Sequence, residues 1–204
     1  SPFDSKTRNK VRELKKNPDL LYDSFYKNLE FGTGGIRGIM GVGTNRVNKY
    51  TIGKTTQGLA KYLLKSFKND NIKVVLAYDC RNNGVLYSKV VSNVLSANGI
   101  VCYVFRDIRP TPQLSFAIKE LKAHCGIMLT ASHNPPEYNG FKAYWSDGGQ
   151  IVPPIDKNLI EIINSTKYEE INFKSEKKYI TKINKNFDNK FIKASTKSVK
   201  FKVL

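Results

Sequence analysis

Short apolar runs alternate with longer helical patterns along the first two thirds of the chain. The runs are bounded by polar or glycine-containing loops, as buried strands are, and the segments between them repeat apolar positions at helical spacing. We predict strands over 72–78, 100–105 and 126–129, and helices over 50–67, 85–97 and 112–121. Because strands and helices alternate, the pattern predicts an α/β layered domain with a largely parallel sheet.

The pattern differs at either end of this alternation. Residues 5–29 repeat apolar positions at helical spacing but are interrupted at Asn17 and Pro18, so they fit two short helices better than one. Residues 140–145 alternate between apolar and polar, which suits a strand at an edge position or in an antiparallel hairpin. The predicted sheet is therefore mixed, although largely parallel.

Beyond residue 166 the chain is rich in lysine, asparagine, glutamate and serine, with few apolar positions. We interpret 166–182 as a linker or weakly structured connection, 187–194 as a helix and 199–204 as a strand that opens a second domain. The predicted organisation is a helical segment over 1–30, a first domain over 31–165, and a linker with the truncated start of a second domain over 166–204.

The charge balance is strongly basic but carries no nucleic-acid signature. The net charge is +17, from 34 Lys and Arg against 17 Asp and Glu, and residues 166–204 hold eleven lysines against four acids. The remaining excess is scattered, and no basic stripe is interleaved with aromatic residues, so we expect no nucleic-acid partner. A basic surface of this kind favours small anionic substrates.

The cysteines and the hydropathy indicate the compartment. Cys80, Cys102 and Cys125 are odd in number, lack metal-ligand spacing and lie mostly among apolar residues, which predicts buried thiols in a reducing compartment. No apolar run is long enough to cross a membrane, and no signal-peptide core is present. We therefore predict a cytoplasmic protein with no membrane partner.

Residues 31–41 contain five glycines, a density that lets backbone approach a ligand closely. Two nucleotide-binding motifs fail here. A dinucleotide-binding motif starting at Gly32 would need glycine where Arg37 stands, and a P-loop ending at Lys54 would need glycine where Asn48 stands. The segment is therefore not predicted to bind nucleotides.

The most chemically suggestive loop follows the strand predicted over 126–129. This apolar run delivers Thr130, Ser132 and Asn134 into a polar loop that two prolines prevent from continuing as helix or sheet. Ligands bind at the carboxyl ends of strands in open α/β sheets, so Ser132 is a candidate nucleophile or phosphoryl carrier. Thr130 and Asn134 are candidate phosphate-binding donors, and Arg37 and Lys142 are candidate cations that offset phosphate charge.

Several separated segments, in the expected order, resemble the α-D-phosphohexomutases, the superfamily of phosphoglucomutases and phosphomannomutases. Residues 130–142 resemble the family's phosphoserine loop, 31–38 its glycine-rich loop with an arginine, 77–83 its aspartate and arginine segment, and 109–112 the Pro-Thr-Pro that precedes the active-site strand. With 144–150, the resemblance is greatest to bacterial phosphoglucomutases and phosphopentomutase-like enzymes. It covers about residues 20–160 and implies the layered α/β/α fold of the family's first domain.

The resemblance implies a mutase that interconverts sugar 1-phosphates and 6-phosphates, or 5-phosphates of pentoses. Ser132 would be the phosphoserine and one ligand of Mg²⁺, and a glucose 1,6-bisphosphate-type compound would serve as intermediate and activator. Lys142 and Arg37 would then lie beside the reacting oxygen, with Lys142 as the expected general base. His133 would contact the phosphoryl group or position the loop. Asp79 and Arg81 are interpreted as a structural pair at a strand end, the alternative being that Arg81 lies on the catalytic face.

The chain also departs from the family pattern. The family's three metal-binding aspartates lie in a D-G-D-x-D-R loop of its second domain, and no such loop occurs here. We therefore expect this chain alone to be an inactive N-terminal fragment whose partners are the remaining mutase domains. The alternative is a non-catalytic module that grips a sugar phosphate or another anion without accepting the phosphoryl group.

Overall fold

A mixed sheet forms the centre of the computed structural model, which describes residues 2–32, 34–68 and 70–197. The strands of the described residues are β1 (Gly35–Ile39), β2 (Lys73–Tyr78), β3 (Val101–Phe105), β4 (Cys125–Leu129), β5 (Tyr138–Trp145) and β6 (Ile180–Ile183). They pair in the order β1-β5-β4-β2-β3-β6. The four strands from β4 to β6 in this order are parallel, whereas β5 is antiparallel to both of its neighbours.

Helices cover both faces of this sheet. They are α1 (Ser5–Leu14), α2 (Pro18–Phe25), α3 (Lys49–Ser66), α4 (Gly84–Ala97), α5 (Thr111–Glu120), α6 (Ile155–Ser165) and α7 (Asn186–Thr196). One core cluster joins the sheet to α3, α4 and α6, and a second joins its opposite face to α5 and α7. The predicted α/β/α layering and the largely parallel, mixed sheet are confirmed. No helix in the described ranges is long and apolar enough to cross a membrane.

Strand β4 lies inside the sheet and is buried along its whole length. Its side chains alternate between the two cores, Ile127 and Leu129 on one side and Met128 on the other, so both sets must be apolar. Gly126 lets α5 pack closely, because a Cβ atom there would lie 2.3 Å from Cδ1 of Ile118. The continuous apolar run in the sequence is therefore explained by helices on both faces.

Two strand assignments differ from the sequence prediction on the outer side of the sheet. The glycine-rich segment was predicted as a loop, but residues Gly35–Ile39 form β1, which pairs with β5. The antiparallel hairpin predicted for residues 140–145 is confirmed, whereas the edge position is wrong because β1 occupies it. Glycine is depleted in strands generally, so the pattern GIRGI gave no strand signal.

The segment 166–182 is more ordered than a linker. It contains two short 3₁₀ turns, Tyr168–Glu170 and Lys177–Tyr179, and its last residues enter β6, which pairs in parallel with β3. Phe187 of α7, within the predicted helix 187–194, packs into the second core. The linker interpretation is therefore wrong for the end of this segment. The strand predicted over 199–204 lies outside the described residues, and the start of a second domain stays a prediction.

The thiols follow the prediction in two of three positions. Cys102 and Cys125 are buried, and burial raises the pKa of each thiol to about 12. Cys80 is exposed, because it lies in the polar loop after β2 and not in an apolar strand.

A bidentate ion pair ties α7 to the loop that precedes α5, and a further hydrogen bond ties it to the first turn of α5. Arg109 donates from Nε and Nη2 to the two carboxylate oxygens of Asp188, at 2.9 and 2.8 Å, and Gln113 donates to Oδ1 at 2.6 Å. The Arg109 hydrogen bonds, more than any other contact, hold the pKa of Asp188 below its ordinary value of 3.8. The ionised form therefore stabilises the fold above that value, and this contribution is lost as the pH falls through the lowered pKa.

We expect Asp188→Asn to lower the free energy of unfolding by roughly 1 kcal/mol at pH 6, since the pair is partly exposed. Urea denaturation at pH 6 and pH 3 measures this difference, and the gap between wild type and variant should narrow at pH 3 as the wild-type carboxylate becomes protonated. A gap that stays constant between the two pH values would show that α7 is not held by this charge.

Candidate active site at the Ser132 loop

The loop that carries Ser132 emerges at the carboxyl end of β4, beside the loop that follows β2. The two strands are parallel neighbours, with Tyr78 opposite Leu129, so their following loops meet at one edge of the sheet. Ser132 and His133 are exposed there, whereas Thr130 is buried. This is the edge at which open α/β sheets bind ligands.

Thr130 anchors the backbone of Ser132. Its hydroxyl donates a hydrogen bond to the carboxylate of Asp79 and accepts one from the backbone N–H of Ser132 at 2.9 Å. The backbone N–H of Thr130 also bonds to the carbonyl of Gly140 at 3.2 Å. The Thr130 hydroxyl is thus already engaged within the protein, and its contact with phosphate stays a prediction.

Arg81 clamps the loop from the side of β2. Its guanidinium donates to the carbonyls of Ser132 at 2.7 Å, Asn134 at 2.6 Å, Pro135 at 2.9 Å and Tyr138 at 3.0 Å. The side chain is 11 % exposed, so these bonds form largely out of water. One guanidinium therefore fixes both ends of the turn that presents Ser132.

Asp79 and Arg81 are more than the structural pair predicted from the sequence. Their closest charged atoms are 3.9 Å apart, but the principal partners of Arg81 are loop carbonyls and that of Asp79 is Thr130. The available signal was an arginine just beyond a strand end, within a segment that already resembled the family. The sequence could not show the partners, because these carbonyls lie more than fifty positions away along the chain.

Ser132 has a left-handed backbone conformation, with φ of +56°. Non-glycine residues rarely adopt this region and do so at a cost, so the surrounding bonds must hold the residue in place. The Thr130 hydroxyl and the Arg81 guanidinium supply such bonds on either side of the residue. The Ser132 hydroxyl itself lies 3.4 Å from Nδ1 of His133 and is otherwise directed away from the sheet core.

Two predicted cations, Arg37 and Lys142, lie on one face of the β1–β5 pair. Arg37 is opposite Gly140, and Lys142 lies two residues further along β5, so their side chains point to the same side. Arg37 also reaches the serine loop, where it donates to Oδ1 of Asn134 at 2.9 Å. The structure therefore brings Arg37 and Asn134 together, with Lys142 as a neighbour of Arg37 on the sheet.

Gly140 lets strand β5 approach the backbone of β1 and of the serine loop closely. A Cβ atom there would lie 2.4 Å from the carbonyl oxygen of Ile36 and 2.7 Å from that of Thr130.

In the part of the chain that the structure describes, no carboxylate lies within ion-pair distance of Arg37 or Lys142. The positive charge of this face is therefore available to an anionic ligand.

The described residues do not form a metal centre by themselves. Across 2–32, 34–68 and 70–197, no group of three or more His, Cys, Asp or Glu side chains is placed to hold an ion. Asp79, whose carboxylate is hydrogen-bonded to the serine loop, is occupied by Thr130 and Arg81. Ser132 as a metal ligand stays a prediction.

Comparisons with known proteins identify the family of this chain. Residues 28–170 match the model of the phosphoglucomutase/phosphomannomutase α/β/α domain I. The chain is 40 % identical over 154 residues to the phosphopentomutase of Homo sapiens, covering 72 % of this chain and 25 % of that protein. It is 45 % identical over 129 residues to a phosphoglucomutase of Staphylococcus aureus, covering 63 % of this chain and 23 % of that protein.

A solved structure assigned as a phosphomannomutase, from Thermus thermophilus, superposes with a TM-score of 0.73 at 25 % identity. The match covers 85 % of this chain and 37 % of that one. The chain spans about a quarter of the length of the two relatives compared above. The resemblance noted from the sequence is confirmed, and the chain belongs to the phosphoglucomutase/phosphomannomutase family, of which it carries the α/β/α domain I.

Proposed function

We propose that the protein to which this domain belongs is a phosphosugar mutase that carries its phosphoryl group on Ser132. It interconverts hexose 1-phosphates and 6-phosphates of glucose or mannose, or the 1-phosphates and 5-phosphates of pentoses. The observation that carries the proposal is the exposed Ser132 hydroxyl, projected by a clamped left-handed turn beside Arg37. Family membership supports the reaction class.

Each transfer exchanges one phosphorus–oxygen bond for another. The bond between phosphorus and the Ser132 oxygen breaks as a sugar hydroxyl bonds to phosphorus. The hydroxyl proton passes through a base, for which we propose Lys142, and the released Ser132 oxygen takes up a proton in its place. The resulting bisphosphate turns over, and its other phosphoryl group returns to Ser132 by the reverse exchange. Arg37 offsets the charge on the moving group, and His133, Asn134 and Thr130 orient it.

Mg²⁺ is proposed as the cofactor, and when bound it would polarise the transferring phosphoryl group. The phosphate on Ser132 is the contact that this chain offers, and the described residues hold no further cluster of ligands. The other ligands would then come from the remaining mutase domains, so this chain alone is proposed to be inactive. A glucose 1,6-bisphosphate-type activator is proposed to load Ser132, in the cytoplasm.

A coupled assay on the full-length protein tests the reaction class. With Mg²⁺ and glucose 1,6-bisphosphate present, we expect glucose 1-phosphate or mannose 1-phosphate to be turned over at about 1 to 10³ per second, and the 204-residue chain to give no turnover. Formation of the 6-phosphate is the readout, with ribose 1-phosphate as the pentose arm. A full-length protein that isomerises none of the three sugars would contradict the proposal.

The second candidate is a non-catalytic module that binds a sugar phosphate. The lack of a metal-ligand cluster among the described residues is the observation that favours it. Titration of glucose 1-phosphate into wild type and Ser132→Ala separates the two, since a binding module would keep its affinity without the hydroxyl and would show no turnover.

A further inference from the structure

A second concave feature lies apart from the serine loop. It is a cavity of about 450 Å³ between α1, the end of α2, residues 42–44 and the start of α3. None of residues 130–142 lines it, and neither does Arg37. Its volume is in the range of small-molecule sites in proteins.

Aromatic rings form much of the cavity wall. Phe3, Phe25, Tyr50 and Tyr168 all line it. The ring of Phe3 lies 4.7 Å from that of Tyr50 in an edge-on arrangement and 5.5 Å from that of Tyr168. Walls of this kind bury flat ring systems well, because edge-to-face and stacked contacts both become possible.

A row of cations faces the same space. Arg8 and Arg12 of α1 and its C-cap residue Lys15 recur at helical spacing, so they share the face that lines the cavity. Lys49 lines it from α3. The lining contains no aspartate or glutamate. The cavity therefore has a marked excess of positive charge.

Most of this charge is not neutralised within the protein. Lys49 is paired with Asp4, whereas no carboxylate in the described ranges lies within ion-pair distance of the three cations on α1. Arg8 donates to the carbonyl of Phe3 at 2.8 Å, and Arg12 donates to Asn9 at 3.0 Å. A guanidinium has five donors, so each arginine keeps donors for an acidic ligand.

We propose that this cavity is a binding site for an aromatic anion, a small molecule with a flat ring system and one acidic group. The rings lie among the Phe and Tyr side chains, and the acidic group is held by Arg8 and Arg12 at the rim. This site is independent of the phosphoryl chemistry proposed for Ser132, because the two share no lining residue.

Calorimetric titration of the 204-residue chain at about 150 mM salt, the physiological ionic strength, tests this site with a matched pair of probes. Naphthalene-2-carboxylate and naphthalene-2-carboxamide have the same ring system, but only the first is charged. We expect the carboxylate to bind at least about tenfold more tightly, because the charged acceptor gains the arginine bonds. Equal affinities, or no binding of either probe at millimolar concentration, would overturn the proposal.

Substitutions on α1 test whether Arg8 and Arg12 bind the acidic group of the probe. The double variant Arg8→Gln with Arg12→Gln should reduce the affinity for the carboxylate to that for the carboxamide. The control, Lys6→Gln with Lys10→Gln, removes the same charge from exposed positions that do not line the cavity. It should change the affinity for the carboxylate little. Arg12→Gln alone, whose side chain bonds only within α1, should lose part of the preference if the double variant fails to fold. Wild-type affinity in Arg12→Gln would refute the assignment.

Discussion

Replacing Ser132 with alanine in the full-length protein is expected to lower mutase turnover by about 10⁴-fold or more. The substitution removes the oxygen that is proposed to accept the phosphoryl group, and the neighbouring hydroxyl of Thr130 is already bonded to Asp79 and to the Ser132 backbone. The coupled assay with glucose 1-phosphate measures the effect. Ser146→Ala, at an exposed position after β5, is the matched control and should keep wild-type turnover.

A glycine at the same position separates chemistry from folding. Because Ser132 has φ of +56°, Ser132→Gly should be as inactive as Ser132→Ala but more stable to urea by about 1 kcal/mol. The stored strain would then be a cost of presenting the hydroxyl. Substantial turnover by either variant would remove Ser132 from the role of phosphoryl carrier.

The second large effect is expected at Arg81. Arg81→Met keeps an unbranched apolar stem but removes the donors to four loop carbonyls, so we expect a loss of about 2 to 3 kcal/mol in stability and about 10²-fold in turnover. Arg81→Lys should rescue little, because an ammonium cannot reproduce the planar fork that reaches these oxygens. Urea denaturation and the rate of Ser132 phosphorylation by glucose 1,6-bisphosphate are the two measurements.

Arg106→Met provides the control for charge. Arg106 is exposed at the end of β3, on the same edge of the sheet, and its removal changes the net charge equally. It should leave both stability and phosphorylation rate close to wild type. If Arg81→Lys behaved like wild type in both measurements, positive charge and not the hydrogen-bonding fork would be what the loop requires.

The parts of the fold that were predicted correctly are those with a local signal. Strand β4 is a continuous apolar run because it is buried on both faces, and the break between α1 and α2 falls at Pro18, which starts α2 as its first residue. Strands β1 and β6 were missed because neither has a clear pattern of its own. Each forms by pairing with a strand that is already buried, β5 or β3.

In the candidate site, too, the sequence indicated only those features that have a local signal. Ser132, Arg37, Asn134 and Lys142 were predicted as site residues from the loop sequence and its resemblance to the family, and the structure brings Arg37 to Asn134. The role of Arg81 depends on carbonyl groups, which carry no side-chain identity and therefore no sequence signal. The left-handed conformation of Ser132 could not be predicted either, because serine, unlike glycine, is not enriched at positive φ.

The described residues provide the proposed phosphoryl acceptor and a cationic face, but no cluster of metal ligands. The chain spans about a quarter of its relatives' length. In the proposed mechanism, the part of this domain is to hold Ser132 in position for phosphoryl transfer.

The intact mass of the full-length protein isolated from cells tests this central claim most directly. We predict a species with one added phosphoryl group in the wild type, and its disappearance in Ser132→Ala. A wild-type protein that stays unphosphorylated even after incubation with glucose 1,6-bisphosphate, or a Ser132→Ala variant that retains the added group, would contradict the account.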